Sequence, residues 1–197
     1  MGRIKYGIDL GTTNSAITKI EKGESVIIKS DSQGDTTPSC VGYRKKGSVM
    51  SGVRAFNTLK ADKLKALKSG KSSESNFWVE FKRTMGSDKK YHSSICDEDF
   101  SSEELSSEVL KKLKSYLQDE VIKSAVITIP AMFNDNQKSA TQKAAELAGI
   151  SQAELLQEPI AAAMAYGLDE KTKDGNLLIF DFGGGTFDVC LVKMEDG

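Results

Sequence analysis

Two short stretches near opposite ends of the sequence place an aspartate at the end of an apolar run and follow it with glycine and threonine. The first reads Gly7-Ile8-Asp9-Leu10-Gly11-Thr12-Thr13-Asn14-Ser15, the second Phe180-Asp181-Phe182-Gly183-Gly184-Gly185-Thr186-Phe187-Asp188. Glycine lets a backbone turn with no side chain between it and a ligand, so successive amide N–H groups can face phosphate oxygens. Threonine hydroxyls add donors. An aspartate alone repels phosphate, but a partly hydrated Mg²⁺ ion between the two reconciles them. Two such turns approaching from opposite sides would grip a polyphosphate and its metal, leaving catalysis to positioning and charge stabilisation. One isolated copy could equally be an ordinary hairpin turn. Two copies, each bounded by apolar strands, point to phosphate. Neither is a G-x-x-x-x-G-K-[ST] loop at the start of a helix, and no complete G-x-G-x-x-G is present.

Other polar residues are less eloquent by themselves. Lys82 beside Arg83 reads as a surface lysine, and Glu158 before Pro159 as a carboxylate favouring a helix N-terminus. Asp188 reads as a polar residue on the exposed side of a strand. His92 is the one histidine and lies in a polar, loop-like context, which speaks against a Ser-His-Asp or Cys-His hydrolase. Cys40, Cys96 and Cys190 are far apart and contain no C-x-x-C pair, against a zinc site or disulfide framework and for a reducing compartment.

The elements that must position these residues follow from periodicity. Ile4 to Leu10 and Ala16 to Ile20 read as a hairpin, with a third strand at Val26 to Lys29 and two more at Val41 to Tyr43 and Val49 to Ser51. Residues 53 to 68 carry an amphipathic helix pattern. Ser101 and Glu104 form a capping box for a helix with Leu105, Val109, Leu113 and Leu117 on one stripe. Ala125 to Ile129 reads as a strand inside a sheet covered on both faces, ended by Pro130. Asn134 and Gln137 cap the next helix, whose Ala140, Ala144, Ala145 and Ala148 allow close packing before Gly149. Leu155 and Leu156 suggest a strand, Pro159 starts a helix to Tyr166 stopped by Gly167, and Leu177 to Phe182 with Thr186 to Val192 make a closing hairpin. Trp78, Phe81, Tyr43 and Phe56 read as anchors of the middle region.

The 197 residues include 39% apolar side chains, enough for a real core. Twenty-seven basic against twenty-eight acidic residues give a formal charge of -1, and the basic clusters carry no interleaved aromatics, so no nucleic-acid partner is expected. The sequence holds no apolar run of about 18 residues and no N-terminal signal, so no membrane partner and a cytoplasmic location are expected.

At these strings the chain resembles the nucleotide-binding, ATPase domain of the seventy-kilodalton heat-shock chaperone family, the DnaK-like class of the actin and sugar-kinase superfold. The resemblance runs over nearly the whole chain. It is carried by Ile8 to Ser15, Thr36-Thr37-Pro38-Ser39, Phe81-Lys82-Arg83-Thr84-Met85-Gly86, Ala125 to Asp135, Glu158 to Leu168 and Phe180 to Val189. The wording around Lys82 is more like a specialised, shorter branch. The resemblance implies an α/β, actin-like (ribonuclease H-like) fold and the binding of ATP or ADP with Mg²⁺. It implies that Asp9 and Asp181 hold the hydrated metal, with Glu158 and Asp188 acting on its water shell. Gly11, Thr12, Thr13, Asn14, Gly183, Gly184, Gly185 and Thr186 would receive phosphates, and Lys82 would face the terminal phosphate and its attacking water. Pro130 and Lys138 would pass the nucleotide state onward. Usual members carry arginine where Lys138 stands, and lysine lacks its two-pronged fork. Met132 replaces a common tyrosine, an altered packing contact.

The resemblance further implies a first-lobe core at residues 1–38 and 111–170, an inserted smaller subdomain at 39–110, and at 171–197 the opening hairpin of a second lobe. The family domain needs nearly twice this length, so the chain is expected to be a front part with weak or no ATPase activity of its own. Its 176–193 hairpin, without a larger sheet, is expected to self-associate. Expected partners of the parent are unfolded client polypeptides, a J-domain co-chaperone and a nucleotide-exchange factor. A sugar-type kinase and an actin-like filament protein of the same superfold are the alternatives, with a non-catalytic sensor opposed by the retained Asp9, Lys82, Glu158 and Asp181.

Overall fold

Alternation in Tyr6-Gly7-Ile8-Asp9 produces the strand around which the main sheet is built. The computed structural model describes residues 4–70, 75–117, 120–166, 175–183 and 187–194. In chain order its elements are β1 (Tyr6–Asp9), β2 (Asn14–Glu21), β3 (Glu24–Ile27), β4 (Thr37–Pro38), β5 (Cys40–Lys45), β6 (Ser48–Ser51), α1 (Val53–Ser69) and β7 (Phe77–Val79). A single 3₁₀ turn (Phe81–Thr84) follows, then β8 (Lys90–Ser93), β9 (Glu98–Ser101) and α2 (Ser102–Lys114). The chain goes on through β10 (Ser124–Ile129), α3 (Asp135–Leu147), β11 (Gln152–Gln157), α4 (Glu158–Tyr166), β12 (Gly175–Phe182) and β13 (Phe187–Met194).

The main sheet runs β11-β10-β1-β2-β3, with β4 added to β2. The β1–β2 and β2–β3 pairs are antiparallel, whereas β10 lies parallel to both β1 and β11. The register sets Ile8 beside Ile127 and Ile127 beside Leu155, so the three parallel strands end together. Ile8, Ile17, Ile127 and Ile150 pack with Leu105, Val109, Leu110 and Leu113 of α2 and Ala144 and Ala145 of α3 in one buried cluster. The small alanines let α3 approach the sheet closely, and both expected capping boxes form, at Ser101 with Glu104 and at Asn134 with Gln137. Gly149, at φ 76°, ends α3: the N–H of Ile150 reaches back to Ala145 O and that of Gly149 to Glu146 O, a Schellman closure.

The middle of the chain forms a sheet β6-β5-β7, on which α1 packs through Ala55 and Leu59 against Cys40 and Phe77. A β8–β9 hairpin sets Tyr91 opposite Phe100, and Tyr43 stacks on Phe100 at 4.8 Å while Trp78 meets Tyr91 edge-on at 6.1 Å. Trp78 and Tyr43 are thus anchors, as their types suggest.

Several expectations are corrected. The strand at Ser124–Ile129 is not covered equally on both faces: Ala125, Ile127 and Ile129 are buried, but Ser124, Val126 and Thr128 remain partly exposed. The α2 helix ends at Lys114, so Leu117 packs on the core from a turn rather than from the helical stripe. Glu158 is the first residue of α4 rather than the residue before it. The strand β7 and the β8–β9 hairpin went unpredicted, because each hairpin strand carries a single large aromatic among polar residues. Gly167, expected to stop α4, lies outside the described residues.

Candidate functional site

Because β1, β10 and β11 are parallel and in register, whatever follows their carboxyl ends converges. Ligands of open α/β sheets bind at that edge. Asp9 closes β1, Pro130 follows β10 and Glu158 follows β11. Together with Gly11, Thr12, Thr13, Asn14, Lys82, Thr128, Ala161, Asp181, Phe182 and Gly183 they line a cleft of about 530 Å³. Asp9 and Asp181, from the two matching turns, therefore share one cavity. Gly11, Gly183 and the hydroxyl-bearing Thr12, Thr13 and Thr128 belong to the same lining.

The turn after β1 is braced from below. The Gly11 N–H donates to Ser15 Oγ at 3.2 Å, Ser39 Oγ donates to Gly11 O at 2.7 Å, and the Ser39 N–H donates to Thr13 O at 2.8 Å. Ser15 and Ser39 share a further bond of 2.9 Å and are both buried. A side chain at Gly11 would stand 2.0 Å from Asn14 O, so the turn closes only with glycine there. Thr13 Oγ1 is buried with no hydrogen-bond partner. An unpaired buried hydroxyl is costly, and an incoming acceptor at the turn would satisfy it.

Thr128, on β10 beside Asp9, donates its hydroxyl to Asp9 Oδ1 at 2.8 Å and so orients the carboxylate. Across the cleft, Lys82 Nζ stands 2.8 Å from Glu158 Oε1 and 5.7 Å from the Phe133 ring centre. The Lys82 side chain is 5% exposed and that of Glu158 20%. Burial pushes the Glu158 carboxyl up from its ordinary range; Lys82 opposes this, while the charges of Asp9 and Asp181 add to it. The lining thus carries three carboxylates and, among the described residues, one cation. Such an excess of negative charge suits a bound cation. Among the described residues no three His, Cys, Asp or Glu side chains converge tightly enough to chelate a bare metal. The set fits a hydrated ion held through water, and the unpaired Thr13 hydroxyl fits a phosphate.

The structure thus brings together Asp9, Gly11, Thr12, Thr13, Asn14, Lys82, Pro130, Glu158, Asp181 and Gly183. Gly184, Gly185, Thr186 and the Asp188 side chain lie outside the described residues. Lys138 is not in the cleft: it sits on an exposed face of α3, 3.2 Å from Asp135. Thr128, Ser15 and Ser39 went unremarked as site residues in the sequence. Only the parallel placement of β10 beside β1 reveals Thr128, since nothing local marks that threonine. Ser15 and Ser39 fall inside the recognised strings, but their bracing role needs the contact between β4 and the turn.

A family model described as Hsp70 protein matches residues 5–197. The chaperone protein DnaK of Thermosipho africanus (strain TCF52B) is 43% identical over 196 residues, covering 97% of this chain and 30% of the relative. That of Thermosipho melanesiensis is also 43% identical with the same coverages. The chaperone protein dnaK of Thalassiosira pseudonana is 41% identical over 206 residues, covering 97% of this chain and 34% of its own. The chain therefore spans about 30% of the length of the curated relatives it matches.

Proposed function

The chain belongs to the Hsp70 family and has the α/β, actin-like ATPase fold of that family, and from that premise we propose that its cleft binds ATP and ADP with Mg²⁺ and serves ATP hydrolysis in a protein-folding chaperone. The observation that carries this is the meeting of both aspartate turns with Lys82 and Glu158 at the carboxyl ends of three parallel strands. The Lys82–Glu158 pair favours this over a sugar-type kinase, whose base would be a carboxylate free to meet a sugar hydroxyl.

In this reading the amides of Gly11 to Asn14 and of Gly183, with the Thr12 and Thr13 hydroxyls, receive phosphate oxygens. Gly184, Gly185 and Thr186 are proposed to receive phosphates as well. Asp9, oriented by Thr128, and Asp181 would hold the metal through its waters, and Glu158 and Asp188 would order further waters. Bound there, Mg²⁺ supplies charge neutralisation to the phosphates. Lys82, restrained by Glu158, stabilises charge developing on the terminal phosphoryl group and orients the attacking water. Pro130, at the cleft edge, and Lys138 carry the nucleotide state onward. The wider protein works in the cytoplasm on unfolded client polypeptides, with a J-domain co-chaperone and a nucleotide-exchange factor. No helix among the described residues is long and apolar enough to cross a membrane.

We propose the same division of the chain into a core (1–38, 111–170), an inserted subdomain (39–110) and a hairpin (171–197). The separate cluster of Cys40, Ala55, Leu59 and Phe77 supports it, while Val41, Phe81 and, on α2, Leu105, Val109 and Leu110 tie the insertion to the main core. The β12–β13 hairpin sets Leu178 opposite Leu191, Phe180 opposite Val189 and Phe182 opposite Phe187, all six exposed. An uncharged stripe of this kind supports self-association of the 197-residue chain.

The test is an amide-NMR titration of the chain with ADP and Mg²⁺. Shifts are expected at Gly11 to Asn14 and Gly183, reduced in Asp9→Asn. No shift there at millimolar nucleotide removes the nucleotide reading.

A further inference from the structure

The short turn that carries Lys82 is fastened at both ends. Its entry is Glu80, a non-glycine residue held at φ 59°, ψ 15° in the left-handed region, a conformation that costs energy and persists only where the surroundings impose it. Phe81, 2% exposed, fixes the depth of the turn in the core but not its rotation. Directional bonds at the other end do that. Thr84 Oγ1 lies 3.0 Å from Phe81 O, 2.7 Å from Tyr91 Oη and 2.8 Å from Ser102 Oγ.

Hydrogen counting assigns those contacts. A carbonyl can only accept, so the one hydroxyl proton of Thr84 goes to Phe81 O. Tyr91 and Ser102 must then both donate, one to each remaining lone pair. Every capacity of the Thr84 oxygen is used, and its partners lie on separate elements: the turn itself, β8 and the first residue of α2. Ser102 is fully buried, so its hydroxyl has no water to turn to. The following residues are clamped to the same helix start, with the Gly86 N–H donating to Glu103 Oε1 at 3.0 Å.

We propose that Thr84 is a positioning residue: by locking the rotation of the Phe81–Thr84 turn onto β8 and α2, it holds the Lys82 ammonium at Glu158 and so at the reacting end of the cleft. Its catalytic meaning rests on the nucleotide reading above, but the geometry it asserts does not. A valine at 84 matches the shape of threonine, yet leaves Phe81 O, Tyr91 Oη and Ser102 Oγ each short of a partner. The turn is then free to rotate about its Phe81 anchor, and Lys82 leaves its carboxylate.

The experiment is a double-mutant cycle, Lys82→Met with Glu158→Leu, neither of which can make the bond, measured by urea unfolding of the 197-residue chain at pH 7 in three backgrounds: native, Thr84→Val and Thr84→Ser. The Lys82–Glu158 coupling is expected to fall to less than half its native size with valine and to be largely kept with serine, which retains the oxygen. Tyr91→Phe, which removes one of the three bonds, should give an intermediate loss and stands in if the valine variant does not fold. A valine background in which all four proteins lose stability equally, leaving the coupling intact, overturns the proposal and makes Thr84 a packing residue only. Loss of coupling with serine as great as with valine also overturns it. Failure of the nucleotide reading would appear separately, in the titration with ADP and Mg²⁺.

Discussion

Replacing Glu158 by glutamine should make the ligand-free chain more stable at neutral pH, although it removes one half of a buried ion pair. Breaking such a pair ordinarily costs about 3–5 kcal/mol, because the partner is left charged and unpaired. Here Lys82 keeps a carbonyl oxygen at 158 to bond, and Asp9 and Asp181 remain in the same lining. What the substitution removes is the third carboxylate beside a single cation. Burial raises the Glu158 carboxyl above its ordinary 4.5, Lys82 only partly offsets this, and Asp9 and Asp181 reinforce it. Ionising Glu158 therefore costs the folded state more than the unfolded one. Its favourable contribution is fully present below pH 4.5 and is lost as pH rises through the raised folded value. Glutamine does not suffer that loss. Exchanging a charged hydrogen bond for a neutral acceptor costs about 1 kcal/mol, and relief of desolvation and repulsion returns somewhat more, for a net gain of about 0.5–1 kcal/mol. With a urea slope of about 2 kcal/mol/M the midpoint moves up by about 0.25–0.5 M. Urea curves at pH 7 and pH 4 decide it: the variant leads at pH 7 and the two proteins meet at pH 4. Added Mg²⁺ should reverse the order, since a cation favours the more negative cleft. A glutamine variant weaker than the native chain by the same amount at both pH values refutes the charge argument and makes Glu158 a structural hydrogen-bond acceptor.

Gly11→Ala forces a side chain to within 2.0 Å of Asn14 O, so the turn must open; ADP affinity should fall by tenfold or more, about 1.4 kcal/mol, in calorimetry. Ser39→Ala leaves Gly11 O without its buried donor and should cost about 1–2 kcal/mol in thermal unfolding. Burial pushes the Cys40 thiol up to about 12, and Cys96 is also buried, so an aromatic disulfide reagent at pH 8 should modify Cys190 alone until denaturant is added.

The local grammar of the chain was legible where one residue type has one physical use. The capping boxes at Ser101 and Asn134, the glycine stop at Gly149 and the apolar run at Ala125–Ile129 all specify their elements from within a few residues. The site's turns were legible because aspartate, glycine and threonine in that order have few structural uses twice over. What the sequence withheld depends on register between distant strands. Thr128 becomes a partner of Asp9 only once β10 lies parallel to β1, and Lys82 becomes more than a surface lysine only once its turn is buried against α4's first residue. The β8–β9 hairpin stayed hidden because its apolar content is concentrated in Tyr91 and Phe100, whose pairing no periodicity reports.

The two aspartates reach the cleft with different degrees of support, and this bears on how binding energy is used. Asp9 ends a strand hydrogen-bonded on both sides within the main sheet, over a core that includes Ile8. Asp181 sits on a two-stranded sheet that packs on α4. A hairpin of two strands is marginal without further packing. A polyphosphate bridging both turns therefore meets the first ready-made but must fix the second before it gains from it, and that ordering cost is subtracted from the observed affinity. Any contact that covers the exposed Phe180 and Phe187 would lower the cost in advance and tighten nucleotide binding, though neither residue belongs to the cleft lining.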